Sequence, residues 1–338
     1  MTAESVTVAK DAARQLRKSS WMRTGLIWLS RYGTIVGLLL MVVFFSINAP
    51  GIFLSRANFL NILSQASLTA IIASGLTYTL VVGEFDLSVG YVASFVGLIV
   101  TGLMAYEGLP IWLSIVCALA LGAGIGVLNG LLVTKVRINA VISTLGVGTM
   151  LTGIGFTYSA FPIATGIPRA FTDISLGRLV FGLPNPVIIT VVVLLALWVI
   201  LNKTDIGQKM QAVGSNMEAA RLSGIRVDRI KMFAFATAGF CAALTGTLLS
   251  SLLGSGTLAA ADGYLLDAFA AVFLGSATLR EGEFHIVGTL IGVLILAVGF
   301  NGLSIFGAPT HFQPIFKGGI LILAVGMSAL ARRYAASV

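Results

Sequence analysis

Apolar runs recur along this chain at lengths that suit only one environment. They occupy 32–49, 59–82, 88–106, 111–133, 138–160, 186–201, 231–253, 264–279, 286–306 and 312–331. An α-helix needs roughly 20 apolar residues to cross about 30 Å of hydrocarbon. In lipid every backbone N–H and C=O must be satisfied within its own segment, so such runs predict helices. The expected fold is therefore an all-α, polytopic membrane protein with about ten crossings. Composition agrees: 57% of the 338 residues are hydrophobic, only 10% are charged, and the mean hydropathy is +0.99, outside the usual makeup of a soluble domain. One membrane domain over 32–331 is expected, flanked by polar tails at 1–31 and 332–338.

The net charge of +8 does not point to nucleic acid, because the basic residues are scattered between apolar runs instead of gathered on one face. Their distribution reads as topology. With the N-terminus inside, seventeen of the twenty-one Lys and Arg residues fall in cytoplasmic segments, among them Lys10, Arg23, Lys135, Arg137, Lys203, Arg226 and Arg332. Only Arg56, Arg169 and Arg178 fall outside, and Lys317 lies within the last run. The positive-inside rule thus predicts that both termini are cytoplasmic. The basic start resembles a signal-peptide n-region, but no small-residue cleavage site follows Ile47, so 1–31 is expected to be a cytoplasmic tail.

Two connections exceed a tight turn. The outer segment 161–185 carries Pro162, Pro168 and Pro184 and reads as a loop with turns or a short surface helix. The inner segment 202–230 is polar and basic, yet contains a helical pattern in SNMEAARLSGI. Within the runs, Gly122, Gly126 and Gly130 stand at four-residue spacing, as do Gly288 and Gly292, a pattern that lets helix backbones approach closely. Cys117 and Cys241 have no CxxC spacing and are expected to pack in the core.

Enzyme chemistry has little support. His285 and His311 fall on opposite sides of the expected topology, no HExxH occurs, and no GxxxxGK[ST] loop is present to cradle ATP phosphates. No cofactor or metal site is expected. Any use of ATP must belong to another polypeptide.

The segment around Glu218, Ala219, Ala220, Arg221 and Gly224 has EAAxxxG spacing. Small alanines permit a close fit, and glycine can end a helix in the left-handed conformation. An amphipathic connector with a glycine cap would read the same way. The spacing is that of ABC importer permeases. Three further stretches resemble the ribose-type sugar permeases of that superfamily, in the same order: DLSVG at Asp86, SGIRVDRIK around Gly224, and GYLLDAFAAVFLG followed by HIVGTLIGVLIL. With NGLSIFG and FQPIFK, the resemblance covers roughly residues 58–330. Glu84 and Phe85 depart from it, standing where that family usually has glycine and an aliphatic residue.

The resemblance implies a permease subunit of an ATP-driven importer in a bacterial inner membrane, carrying a monosaccharide or similar polyhydroxylated solute. It implies a cytoplasmic ABC ATPase docked on Glu218–Gly224, an extracytoplasmic solute-binding protein and a second permease copy or homologue. An ion-coupled secondary transporter is the alternative from another class, with Glu84, Asp86 and Asp267 binding the ion. A related importer branch for branched-chain amino acids or nucleosides is a third.

Charges within oily surroundings are candidates for a translocation path or gate. Asp86 suits an N-cap for the helix that follows, accepting from Ser88 or Val89. Glu84, after the break at Gly83, could instead offer its carboxylate to sugar hydroxyls along a wet path. Asp267 and Lys317 could pair with each other or touch solute. Asn139, Asn301 and Gln313 could hydrogen-bond between helices or to a sugar, and Phe312 could stack on a sugar face or anchor its helix.

Overall fold

The computed structural model describes residues 32–180, 182–276, 278–279, 282–309, 311–322 and 326. The two expected tails and most of 323–331 lie outside them. Each apolar run is occupied by a helix: α1 (Tyr32–Asn48), α3 (Arg56–Val81), α4 (Val89–Ala105), α5 (Ile111–Leu131), α6 (Ala140–Tyr158), α8 (Asn185–Lys203), α11 (Val227–Leu253), α12 (Asp262–Ser276), α13 (Ile286–Ile305) and α14 (312–322). Short helices fill the connections: α2 (Pro50–Phe53), α7 (Arg169–Leu176), α9 (Asp205–Ser215) and α10 (Met217–Leu222). The only β-pairing among the described residues is two isolated bridges.

Among the described residues, six helices are long and apolar enough to cross a membrane: α3, α5 with its π-helical extension to Val136, α6, α8, α11 and α13. α1 and α4 are apolar but shorter, and α12 has 15 residues. α3 and α11 form the centre, with 72% and 67% of their apolar windows buried, against 28% for α5, 39% for α6 and 33% for α8. The last three turn much of their surface outward, the expected arrangement for helices facing lipid. Ile71, Ile72, Ala73 and Leu76 of α3 are wholly buried on all sides.

Glycine determines how closely the centre packs. A Cβ on Gly126 would meet the backbone of Phe235, and one on Gly239 would meet the Gly122 carbonyl and the Gly126 backbone. The row Gly122, Gly126, Gly130 is thus the seam between α5 and α11, as its spacing predicts. A second seam joins α12 to α13, where Gly275 and Gly288 oppose each other and Gly292 lies against the Ala271 carbonyl. The cysteines divide: Cys241 is buried beside Gly75, whereas Cys117 is exposed on α5, correcting the expectation that both pack in the core. Periodicity could not say which face of α5 points outward.

The helix ends gather on two sides of the bundle. On one side the Ile163 and Gly256 backbones pair, and Ser251 Oγ donates to the Phe171 carbonyl at 2.6 Å, holding α7 over α11. On the other, Thr34 bonds Thr278, Lys135 pairs with Asp228, and Gly214 of α9 lies against the Val81 carbonyl at the end of α3.

Candidate translocation cavity and coupling segment

The segment between α8 and α11 is a pair of short helices that project from the bundle. Thr204 caps α9 by accepting from the Gly207 N–H, and Asn216 caps α10 by accepting from the Ala219 N–H at 2.9 Å. α10 ends at Gly224, whose φ of +82° is the left-handed conformation expected of a glycine stop. The Ile225 N–H then returns to the Ala220 carbonyl at 3.1 Å. Ala220 faces inward and is buried, while Glu218, Ala219 and Arg221 are exposed, with Glu218 and Arg221 forming a surface ion pair at 3.2 Å. Leu222, 88% exposed, stands out as an apolar group with no cover from the bundle. Asp228, in the first turn of α11, accepts from Lys135 Nζ at 2.7 Å.

Glu84 is engaged in an ion pair. Its carboxylate takes the Lys231 ammonium at 2.5 Å, and both side chains are largely buried. The pair ties the α3–α4 connection to the first turns of α11, directly beyond the segment 202–230. Its neighbour Phe85 stacks on Phe269 and Phe273 of α12 at centroid distances of 6.2 and 6.4 Å. Removing one partner of a largely buried ion pair strands the other charge, whereas removing both does not. Glu84→Ala is therefore expected to destabilise the purified protein by about 2 kcal/mol, and the double variant Glu84→Ala/Lys231→Ala by clearly less. Thermal unfolding in detergent measures both, and strictly additive losses would refute the pairing.

Asp86 caps the turn that leads into α4, whose N-cap residue is Ser88. Its Oδ1 accepts from the Ser88 N–H at 2.9 Å and the Ser88 hydroxyl at 2.6 Å, just before α4. Asn129 donates in turn to Ser88 Oγ at 2.8 Å, which joins this cap to α5. Burial pushes the Asp86 carboxyl up to about 6, against the lowering effect of the two Ser88 bonds. Asn139 likewise caps a helix, accepting from Val141 and Ile142, so it is not an interhelical contact. Asn301 is buried and exchanges two amide hydrogen bonds with Asn58 of α3, at 3.0 and 2.7 Å. Both its polar ends are engaged there, between α3 and α13. Phe312 and Gln313 open α14 and stand outside the cavity described next, with Phe312 exposed against His311.

That cavity, of about 350 Å³, lies between α3, α11, α12 and α13. It is at the lower end of the roughly 300–1,000 Å³ typical of small-molecule pockets. α3 contributes Asn61, Ser64, Gln65 and Thr69, with Leu68 between them. Tyr264 and Asp267 come from α12, Leu252 from α11, and an apolar wall ending in Phe300 from α13. Asp267 is buried and its carboxylate lies 2.8 Å from Lys317 Nζ, while the same ammonium sits 4.9 Å from the centre of the Phe300 ring. Of the sequence candidates, the structure thus brings Asp267 and Lys317 together at this cavity and leaves the rest elsewhere. The α3 residues were missed, although their spacing of i, i+3, i+4 and i+8 marks one helical face.

Residues 58–325 match the model of a family described as branched-chain amino acid transport system / permease component. The chain belongs to that permease family. With six helices of crossing length, the permease is a multi-pass membrane protein. It is 38% identical to the ribose import permease of Bacillus subtilis over 298 residues, covering 88% of this chain and 92% of that protein. Identity to the ribose import permease of Escherichia coli K12 is 37% over 302 residues, covering 88% and 93%. The xylose transport system permease of the same strain is 29% identical over 359 residues, covering 88% and 91%. Among solved structures, none matches.

Proposed function

We propose that this permease is the membrane subunit of an ABC importer for a monosaccharide or similar small polyhydroxylated solute, delivered by an extracytoplasmic binding protein. The observation that carries the reading is near full-length similarity to ribose and xylose permeases, combined with a projecting helix that ends at a left-handed glycine. In this reading the permease works in a bacterial inner membrane as a dimer of permease subunits. It crosses about ten times with both termini in the cytoplasm, α1, α4, α12 and α14 adding to the six long helices. The segment 202–230 lies inside, where its basic residues place it.

The ATPase partner docks on α10, and ATP is bound and hydrolysed by that partner alone. The permease itself is no enzyme and holds no cofactor. Closure of the ATPase pair pushes α10, and the motion enters the bundle through α11, which follows it, and through α9, which abuts the end of α3. Coupling then means that the partner stabilises one of two bundle states more than the other. Ion-coupled transport is disfavoured by the local chemistry. Of its three candidate carboxylates, Glu84 and Asp267 already hold lysines, and Asp86 is spent on a helix start.

Reconstitution in liposomes tests the proposal. With the ATPase, the binding protein and internal ATP, labelled D-ribose or D-xylose is expected to accumulate, and L-leucine is not. Sugar uptake driven by an ion gradient without ATP would overturn the reading.

A further inference from the structure

The cavity walls ask for a particular kind of guest. Asn61 and Gln65 are exposed although they lie in a helix long and apolar enough to cross the bilayer. Gln65 Nε2 donates to Asn61 Oδ1 at 3.1 Å, but that bond leaves the Asn61 N–H groups and the Gln65 carbonyl to be satisfied, which lipid tails cannot do, so this face of α3 opens onto water or a polar occupant. From Asn61 to Thr69 the polar stripe runs about 12 Å along the helix. Opposite it stands Asp267, one of the few ionisable groups inside the bundle, held by Lys317 from behind. Lys317 is not itself on the wall, but its ammonium touches the Asp267 carboxylate and the Phe300 ring, so the carboxylate is the exposed acceptor of a neutral pair. Phe300 supplies a flat apolar surface beside these donors and acceptors.

We infer that this cavity is a transit site for one neutral polyhydroxylated ring, with Asp267 accepting hydrogen bonds from its hydroxyls, Asn61, Gln65 and Tyr264 completing them, and anionic sugars refused. Lys317 is the positioning residue: it keeps Asp267 charged and aimed. Hydroxyl donors bound to a carboxylate are charge-assisted and strong, while a phosphate or carboxylate guest finds no unpaired cation on the wall, the Lys317 ammonium being taken by Asp267. The inference rests on the sugar-importer reading and adds to it a defined station within the membrane domain.

Cysteine protection tests it on the reconstituted full chain. In a Cys117→Ser background, Gln65→Cys and, separately, Leu252→Cys report access to a membrane-impermeant maleimide, so the result does not depend on one wall. Saturating D-ribose or D-xylose is expected to slow labelling at both reporters, and D-ribose 5-phosphate is expected to leave it unchanged. Adding Asp267→Asn to the Leu252→Cys reporter is expected to raise the ribose concentration needed by about tenfold or more, the loss of one charge-assisted bond, and Asn61→Ala by less. Asn61→Ala, at an exposed position, keeps the test sound should Asp267→Asn impair folding. Equal protection by ribose and its phosphate, or no protection by either sugar in a complex that still imports it, overturns the inference and leaves the importer reading intact. A complete complex that imports neither sugar overturns the reading itself.

Discussion

Gly224→Pro is expected to abolish ATP-driven uptake and capture of the ATPase while leaving the membrane bundle folded. Gly224 holds φ at +82° and donates its N–H to the Arg221 carbonyl at 3.0 Å. Proline fixes φ near −65° and has no N–H, so it can satisfy neither condition. The stop at the end of α10 would be lost, and with it the angle between α10 and the first turn of α11. That angle presents Ala219, Leu222 and the Glu218–Arg221 pair outward while keeping Ala220 against the bundle. The damage is local, since a side chain at Gly224 would meet nothing within 4 Å. Gly224→Ala therefore carries only the left-handed strain, about 1–2 kcal/mol, and should weaken uptake without ending it. Co-purification with the ATPase, uptake in liposomes and the detergent unfolding temperature separate these effects. A proline variant that retains full ATPase binding and uptake would refute the coupling role.

What the sequence disclosed and what it hid follow from the range of the forces involved. Helices in a bilayer are dictated by local runs of side chains, so each run is helical over its described residues, and the stop at Gly224 is local too. Asp86 was legible as a cap because its partner Ser88 is two residues away. Glu84 was not, because Lys231 lies 147 residues distant and only tertiary packing brings it near. The same holds for Asn301, whose amide partner Asn58 is 243 residues away. Asp267 and Lys317 were foreseen as a possible contact because two intramembrane charges of opposite sign have few other ways to be neutralised. The polar face of α3 could have been read from its spacing, but a run dense in Ala, Leu and Ile masks four scattered amides and hydroxyls. Crossing number was the least legible quantity. Apolar length decides it, and α4 with 17 residues and α12 with 15 fall short of the usual length for a single crossing.

The largest effect on the fold is expected from Gly239→Val, which should yield no monodisperse protein, whereas Gly124→Val should yield a protein close to the parent in unfolding temperature. Both replace a helical glycine inside an apolar run by the same β-branched residue, so any cost of helix propensity or membrane insertion is shared. They differ in what the new Cβ meets. At Gly239 it runs into the Gly122 carbonyl and the Gly126 backbone, and main-chain atoms of a continuous helix cannot step aside as a side-chain tip does. α5 would have to move off α11, opening the seam that Gly122, Gly126 and Gly130 close. At Gly124, on the same helix α5, nothing lies within 4 Å. Association between helices in lipid draws on van der Waals contact and not on expulsion of water, so a gap at this seam is not offset by burying the exposed apolar surface elsewhere. Size-exclusion profiles and thermal unfolding in detergent measure the contrast. If the two valine variants behaved alike, close backbone contact would not be what holds α5 to α11.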